Sequence, residues 1–203
     1  MIESEVKFLL NDLPGLARRL ETLGARLASQ EVHEINLKFD KPDRSLTRSF
    51  QVLRLRQDAR VRLTYKAPGK IVEGVNARTE IEFEADDFEA AKAFLEALGF
   101  EISLVYEKYR TTYELDRVEI VLDRTPIGDF AELEGPDGET IAALAGKLGL
   151  DWSARTPASY TFLFDEVKRA LGLAMRDLTF ENFKGVAASP EALGVRPADV
   201  PSR

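Results

Sequence analysis

Acidic and basic side chains recur at every second position in several short stretches of this chain. The chain opens with Glu3, Glu5 and Lys7 on alternate positions, and the same spacing returns with arginines at 54, 56, 60 and 62 and glutamates at 80, 82 and 84. Side chains two residues apart share one face of a β-strand. Carboxylates are oxygen ligands that Mg²⁺ or Mn²⁺ prefers, and the planar arginine side chain suits bidentate binding of phosphate. The pattern therefore indicates strand faces that bind a polyanion together with a divalent cation.

The composition excludes several other kinds of site. The 203 residues are 44% hydrophobic and 31% charged, which is typical of one soluble globular domain. A net charge of −7 argues against general nucleic-acid binding and against binding to membrane surfaces. The absence of cysteine and the single histidine, His33, exclude thiolate and multi-histidine metal sites. With no signal peptide or long apolar run in the sequence, a cytoplasmic location is expected.

The charged stretches belong to predicted strands that alternate with amphipathic helices. Period-two alternation predicts strands near residues 2–10, 34–40, 51–56, 60–66, 78–84, 101–114, 117–124 and 130–134. Helices are predicted after Asp12, after Asp86 or Asp87, after Pro136, and from Thr156-Pro157 onward. We expect residues 1–184 to form a single domain. The stretch 185–203 is rich in Ala, Pro, Gly and Ser and has no aromatic residue, which predicts a loosely ordered tail.

Two arrangements of these strands are possible. An open antiparallel sheet could leave its charged face in water, as many antiparallel sheets do. Same-sign runs such as Glu80, Glu82 and Glu84, and the concentration of arginine where lysine or threonine would suffice, favour a different arrangement. We therefore predict a closed antiparallel barrel whose charged face points inward and whose apolar face points outward under helices.

Several motifs, taken together, resemble those of the CYTH domain family, also called triphosphate tunnel metalloenzymes. Glu3-Ser4-Glu5-Val6-Lys7 resembles the family's E-x-E-x-K signature, and Glu34-Ile35-Asn36 with Phe39-Asp40 resembles an E-x-N…F-D motif. The remaining similar stretches follow in the family's order and are Leu53–Arg56, Leu63–Lys66 with Pro68, Arg78 with Glu80 and Glu82, Lys108–Arg110, Leu122-Asp123, Gly128–Glu134 and Ser159-Tyr160. The resemblance covers about residues 1–172. It departs from the family at Ala67-Pro68-Gly69, where many members have Gly-Pro.

The resemblance implies an α+β fold built on a closed eight-stranded barrel, a tunnel that binds a small-molecule triphosphate together with Mg²⁺ or Mn²⁺. The metal-binding carboxylates implied by the family are Glu3, Glu5, Glu132 and Glu134, with Asp123, Glu80 and Glu82 as further acidic members. The phosphate-binding cations implied are Lys7, Arg54, Arg56, Arg62, Lys66, Arg78, Lys108 and Arg110. Among these cations, Lys7, Arg56 and Lys66 are predicted to act in catalysis.

Three functions remain open at this point. A triphosphatase could act on inorganic triphosphate, thiamine triphosphate or nucleoside triphosphates, and it needs only side chains that bind the triphosphate, a metal ion and water. A class IV adenylate cyclase needs in addition an aligned ribose hydroxyl and a nucleoside pocket, for which the sequence identifies no residues. A non-catalytic sensor of polyphosphate or nucleotide is the third possibility, and the intact set of acids and bases argues against it. Hydrolysis is therefore favoured.

Two other residues are interpreted as structural, and the acidic cluster carries a prediction about stability. His33 precedes a predicted strand without a recognisable partner, and Trp152 lies between two helices, so surface placement and packing are expected of them. Because carboxylates in one cluster repel each other, neutralising Glu5 or Glu134 is expected to leave the fold intact and even to stabilise the ligand-free protein.

Overall fold

A computed structural model describes residues 2–72 and 75–199, without the side chains of residues 2, 3, 71, 72 and 75–77. In that part of the chain, nine strands form one antiparallel sheet. They are β1 (Ile2–Leu10), β2 (Arg26–Asp40), β3 (Val52–Gln57), β4 (Val61–Lys66), β5 (Lys70–Val72), β6 (Val75–Ala85), β7 (Glu101–Leu115), β8 (Val118–Thr125) and β9 (Gly128–Gly135).

The sheet closes on itself. Its strand order is β1-β9-β8-β7-β2-β3-β4-β6, and β6 pairs in turn with β1 from Asn76 to Thr79. The short β5 pairs with β6 on the same side as β4, so it continues β4 after an interruption at residues 67–69. The ring therefore contains eight strand positions, and the predicted closed eight-stranded barrel in an α+β fold is confirmed.

All the described helices except the short helix Ser45–Arg48 begin at a side-chain cap. They are α1 (Leu13–Thr22), α2 (Ser45–Arg48), α3 (Phe88–Ala97), α4 (Gly138–Lys147), α5 (Tyr160–Leu171) and α6 (Pro190–Leu193), with a 3₁₀ turn at Trp152–Ala154. Asp12, Asp87, Asp137 and Ser159 each accept a hydrogen bond from the backbone N–H three residues further on. Among the described helices, none is both long and apolar enough to cross a membrane.

The apolar faces of most strands point outward and are buried under helices. Val6, Ile120 and Leu133 are fully buried in a cluster that includes residues of α1 and α4. A second cluster joins Leu55 of β3 to Leu95 of α3. A third packs α5 and α6 against Leu9 of β1 and Phe130 of β9. These two residues share the strand faces of Lys7 and Glu132 and therefore lie on the inward side. The alternation leaves the rest of the inward face of these strands for charge. On β6, however, Ile81 and Phe83 are 59% and 56% exposed, so the expected helix cover is missing there.

The predicted loose tail was wrong for residues 185–199. Leu193 and Ala198 are 2% and 1% exposed, and the backbone N–H of Ala198 donates to the Leu9 carbonyl at 2.8 Å. The carboxylate of Asp199 accepts from the backbone N–H of Asn11 and Asp12. The reason is that β6 pairs with β1 only as far as Glu5, which leaves the later edge of β1 to be completed by other segments. Residues 200–203 lie outside the described part.

The predicted helix start at Thr156-Pro157 was also wrong. Thr156 exchanges two backbone hydrogen bonds with Lys7, at 2.9 and 2.8 Å, and so fills another part of the same β1 edge. The helix begins instead at Tyr160, where Ser159 accepts from the N–H of Phe162. The extended segment 156–159 directs the first turn of α5 against the inside of the barrel.

Candidate active site

The inward face of the barrel lines a cavity of about 1100 Å³. Its described wall carries nine basic side chains, which are Lys7, Lys38, Arg54, Arg56, Arg62, Lys66, Arg78, Lys108 and Arg110. It also carries seven acidic ones, which are Glu5, Glu80, Glu82, Glu119, Glu132, Glu134 and Asp165. The cavity thus has an excess of positive charge although the whole chain has a net charge of −7, and this excess suits an anionic ligand.

Strand register brings charges that are distant in sequence into contact. Lys66 and Glu80 are cross-strand partners and form an ion pair. Arg78 of β6 is in register with Glu3 of β1 and forms its ion pair, at 3.1 Å, with Glu5, two residues further along the same face of β1. Because paired residues on adjacent antiparallel strands point to the same side, each pair lies on the lumen face. The alternation seen in the sequence therefore continues around the ring.

A buried carboxylate supports the cations of β3 and β7. Glu34 on β2 is 1% exposed and lies 3.5 Å from Arg56 and 3.7 Å from both Lys108 and Arg110. Burial raises the pKa of the Glu34 carboxyl, but these cations outweigh it and hold the pKa well below its ordinary value. Glu34 is therefore ionised at neutral pH and holds three phosphate-binding candidates together.

Asp123 supports the same cations from another side. Fully buried, it accepts hydrogen bonds from Lys108 Nζ at 2.9 Å, Arg110 Nε at 2.7 Å and the Tyr160 hydroxyl at 2.8 Å. The Tyr160 ring also lies beneath the ammonium groups of Lys7 and Lys108, at 5.5 and 5.2 Å. Asp123 is not on the cavity wall, and its contacts orient cations.

Several cationic groups are crowded and incompletely hydrogen-bonded. Burial and the neighbouring Arg54 lower the pKa of Arg56 to about 10 and also lower the pKa of Lys66. The buried atoms Arg54 Nε, Arg62 Nε and Asn36 Nδ2 have no hydrogen-bond partner among the described residues. Unsatisfied buried donors are costly. An anion in the cavity would relieve the repulsion and is the kind of ligand that such donors accommodate.

Six of the seven acidic residues on the described wall either form ion pairs with lumen cations or lie opposite another carboxylate, and Glu5 does both. Glu80, Glu82 and Glu132 are paired with cations: Glu80 with Lys66 and Arg78, Glu82 with Arg54 and Arg62, and Glu132 with Lys7 and Arg110. Glu5 and Glu134 face each other across β1 and β9, and Glu119 is the partner of Glu134 on β8. These three carboxylates line one side of the lumen.

The carboxylate side has the donor chemistry of a magnesium site that phosphate oxygens would complete. Glu5 and Glu134 supply the oxygen donors that Mg²⁺ or Mn²⁺ prefers. Among the described residues, no group of three or more metal-binding side chains is placed to hold an ion unaided. Mg²⁺ usually binds through one or two carboxylates plus substrate phosphates, so this donor set agrees with the chemistry. The side chain of Glu3 lies outside the described residues, and its metal role stays a prediction.

The structure thus brings all eight predicted phosphate-binding cations to one cavity. Of the predicted metal-binding residues, Glu5, Glu80, Glu82, Glu132 and Glu134 also line it, whereas Asp123 lies behind its wall. The sequence did not predict the supporting role of Glu34. It indicated only that Glu34 belongs to a motif similar to one of the family, without a role for the side chain. It also gave no role to Tyr106, whose hydroxyl accepts from Arg54 at 3.4 Å, or to Glu119.

The two residues interpreted as structural lie away from the cavity. His33 Nε2 is 2.8 Å from Glu107, and its ring stacks on Tyr109 with a centroid distance of 4.7 Å. Trp152 packs beside Phe8 in the core, so its packing role is confirmed. Neither residue lines the cavity.

The surroundings of Glu5 predict that its negative charge stabilises the fold. The sequence alone leads to the opposite expectation, that neutralising Glu5 would relieve repulsion between carboxylates and stabilise the protein. Burial raises the pKa of Glu5, but Lys7, Lys66 and Arg78 outweigh burial and Glu132 and lower the pKa to about 2. A lowered carboxyl pKa stabilises the fold above the unfolded pKa near 4.5, and this stability is lost as the pH falls towards 2. We expect Glu5 to account for a loss of about 2 kcal/mol in the free energy of unfolding between pH 7 and pH 3.

Urea unfolding at several pH values tests this prediction. Glu5→Gln should be less stable than the wild type at pH 7 and should lose less stability on acidification. Glu89→Gln, an exposed position on α3, is the control and should follow the wild-type pH profile. If Glu5→Gln were more stable than the wild type at pH 7, repulsion between carboxylates would outweigh the ion pairs of Glu5, and the prediction would be wrong.

Comparisons with known proteins agree with this geometry. A family model described as the CYTH domain matches residues 1–148. A putative adenylate cyclase from Vibrio parahaemolyticus is similar in structure with a TM-score of 0.72 and 21% identity, covering 81% of this chain and 98% of its own. Protein PH1819 from Pyrococcus horikoshii OT3 gives a TM-score of 0.68 and 29% identity, with 81% and 98% coverage.

A third similar structure carries a description of activity. It is a putative adenylyl cyclase from Hippeastrum, described as having a dominant triphosphatase activity, with a TM-score of 0.62, 19% identity, and coverage of 81% of this chain and 94% of its own. At this level of identity the likeness shows the fold. No curated protein sequence is similar enough to this chain to count as a match.

Proposed function

Because the chain belongs to the CYTH domain family, we propose that it hydrolyses a triphosphate bound in the barrel cavity with Mg²⁺ or Mn²⁺ as cofactor. The observation that carries this proposal is the excess of basic side chains in one cavity, including the Nε groups of Arg54 and Arg62, which have no hydrogen-bond partner within the described part of the chain. A triphosphate carries about four negative charges near neutral pH, since its terminal phosphate has a second pKa near 6. It would satisfy these donors and separate the crowded cations.

The basic residues would act by binding and orienting the phosphate chain. Arg54 and Arg56 of β3 and Lys66 of β4 lie on neighbouring strands, so they contact the ligand from one side. Lys7 of β1 and Lys108 and Arg110 of β7 contact it from strands on either side of β3 and β4, held by Glu132 and Asp123. Phosphoryl transfer is promoted chiefly by positioning and by neutralising charge that develops on the phosphate oxygens. These cations supply both without a covalent nucleophile.

Glu5 and Glu134 would hold the metal ion, with the triphosphate completing its oxygen ligands. When bound, the ion would neutralise phosphate charge and polarise the transferred group. Lys7 lies 3.8 Å from Glu5 and 3.3 Å from Glu132, and these pairings raise the pKa of Lys7 in spite of its burial. Lys7 therefore stays protonated beside the metal-binding carboxylates and remains available to a phosphate oxygen.

A panel of triphosphates tests the proposed reaction. Incubation of the purified protein with inorganic triphosphate, thiamine triphosphate and ATP, each with Mg²⁺ or Mn²⁺, is expected to release orthophosphate from at least one of them. Omission of the metal should abolish the release. Ion chromatography separates orthophosphate, pyrophosphate and cyclic AMP. Formation of cyclic AMP and pyrophosphate from ATP faster than any phosphate release would instead identify a cyclase.

A further inference from the structure

Two exposed aromatic side chains lie on the wall of the cavity. Phe50, between α2 and β3, is 80% exposed, and Phe162, in the first turn of α5, is 56% exposed. Their exposure places both rings where the cavity opens to solvent. A phenyl ring stabilises a fold by being buried, so these two contribute little to folding. The tyrosines on the described cavity wall, Tyr106 and Tyr160, differ because their hydroxyls are hydrogen-bonded to lumen side chains.

The segment that carries Phe50 is firmly held. The buried Asp40 carboxylate accepts from the backbone N–H of Leu46 and of Thr47, each at 3.0 Å, and from the Thr47 hydroxyl at 2.5 Å. Gln51 N–H donates to the Leu46 carbonyl at 2.9 Å. Phe50 itself has a φ of 55°, a left-handed conformation that non-glycine residues adopt at a cost. The ring is thus presented to solvent by an ordered segment with a strained residue.

Phe50 lies just before the strand that carries two of the proposed phosphate-binding cations. Val52, Arg54 and Arg56 follow it at alternate positions and all line the cavity. Each two-residue step along a strand advances about 7 Å. Phe50 precedes the strand, which begins at Val52, so it lies beyond the Arg54 end of this row on the wall of the same cavity. In the arrangement that we infer, the phosphates contact Arg54 and Arg56 and the other end of the ligand lies at Phe50.

We propose that Phe50 and Phe162 form an aromatic rim that stacks on the planar ring of an organic triphosphate such as a nucleoside or thiamine triphosphate. This inference rests on the proposed triphosphate site and assigns it a class of substrate. Rings of nucleobase type stack on aromatic side chains with little dependence on their hydrogen-bonding groups. Inorganic triphosphate has no ring and gains nothing from the rim. Lys38 and Asp165, the latter ion-paired with Lys168 at 2.8 Å, line the same cavity and could contact polar groups of the organic portion.

Binding measurements separate the rim from the phosphate site. Isothermal calorimetry would give Kd for the non-hydrolysable imido analogues of ATP and of inorganic triphosphate, and for thiamine triphosphate without metal. Phe50→Ala and Phe162→Ala are each expected to weaken binding of at least one organic ligand about tenfold. Their Kd for the inorganic analogue should stay within twofold of the wild-type value.

Matched variants make the result specific. Phe94→Ala removes a ring that is 63% exposed on α3 and away from the cavity, and it should change no Kd. Phe50→Trp keeps a stacking surface and should retain organic-ligand binding. The proposed aromatic rim would be wrong if the alanine variants lost affinity equally for organic and inorganic ligands, or if they lost affinity for no organic ligand.

The experiments distinguish an error in the proposed aromatic rim from an error in the proposed reaction, because the two predict different binding and product results. A wild-type protein that binds and cleaves only inorganic triphosphate refutes the rim and leaves the hydrolase. Conversion of ATP to cyclic AMP with an organic-specific loss in Phe50→Ala refutes hydrolysis and supports the rim. Absence of binding to every triphosphate refutes both.

Discussion

Replacing Arg56 or Lys66 by alanine is expected to lower kcat for triphosphate hydrolysis about 10²- to 10³-fold, the effect typical of removing one preorganised charge-stabilising group. Both residues line the cavity, and the pKa of each is lowered by burial and by Arg54, so each is held in a strongly cationic environment. Charge that develops on the phosphate chain would be stabilised there without reorganisation of solvent. Steady-state phosphate release at saturating metal gives kcat and KM for each variant.

Two further variants separate geometry from charge. Arg56→Lys keeps the positive charge but loses the planar fork, so it should recover only part of the activity. Arg60→Ala removes an exposed arginine from the same hairpin, where it pairs with Glu84 outside the cavity wall, and should behave like the wild type. An Arg56→Ala enzyme with kcat within threefold of the wild-type value would remove this residue from the catalytic set.

The strand pattern of the barrel is readable from the sequence because it is a local property. Successive side chains of a strand alternate between two faces, so Arg54 and Arg56 had to share one face wherever the strand lay. That this face pointed inward followed from the improbability of leaving so many like charges on one open sheet. Both inferences need only neighbouring residues and general electrostatics.

Register is not local, and the buried network could not be predicted for that reason. Glu34 looks like any alternating polar residue of a strand, yet its cross-strand partner is Lys108, more than seventy positions away. Only this pairing makes it a buried support of the cations that we predict to bind phosphate. The resemblance to a family motif included Glu34 but did not indicate what its side chain does.

The C-terminal segment shows the same limit at the level of packing. Its composition predicts disorder because few large apolar residues are present, but Leu193 and Ala198 are buried against the barrel and the backbone hydrogen-bonds to an incomplete strand edge. Ala198 bonds to Leu9, and Thr156 bonds to Lys7, both beyond the point at which β6 leaves β1. An unpaired edge is visible only once the barrel has been assembled.

Replacing Glu134 by glutamine is expected to lower activity at limiting Mg²⁺ by about 10²-fold or more and to raise the metal concentration needed for half-maximal activity. Glu134 faces Glu5 across β1 and β9, and the amide is isosteric but lacks the negative charge that a hard divalent cation prefers. Part of the loss should be recovered at high Mn²⁺, since the second carboxylate and the substrate phosphates remain. Activity as a function of Mg²⁺ and Mn²⁺ concentration gives the activation constants.

A direct binding measurement distinguishes a metal ligand from a residue that merely shapes the cavity. Electron paramagnetic resonance of Mn²⁺, with the imido analogue of inorganic triphosphate present, should show weaker ion binding in Glu134→Gln than in the wild type. The metal-free Kd for the same analogue should be unchanged or tighter in the variant, because one negative charge has been removed from an anion site. Glu89→Gln, exposed on α3, should leave both measurements unchanged. Wild-type Mn²⁺ affinity in Glu134→Gln would move the metal site to other carboxylates, and the remaining Glu5, Glu119 and Glu132 could then be tested in the same way.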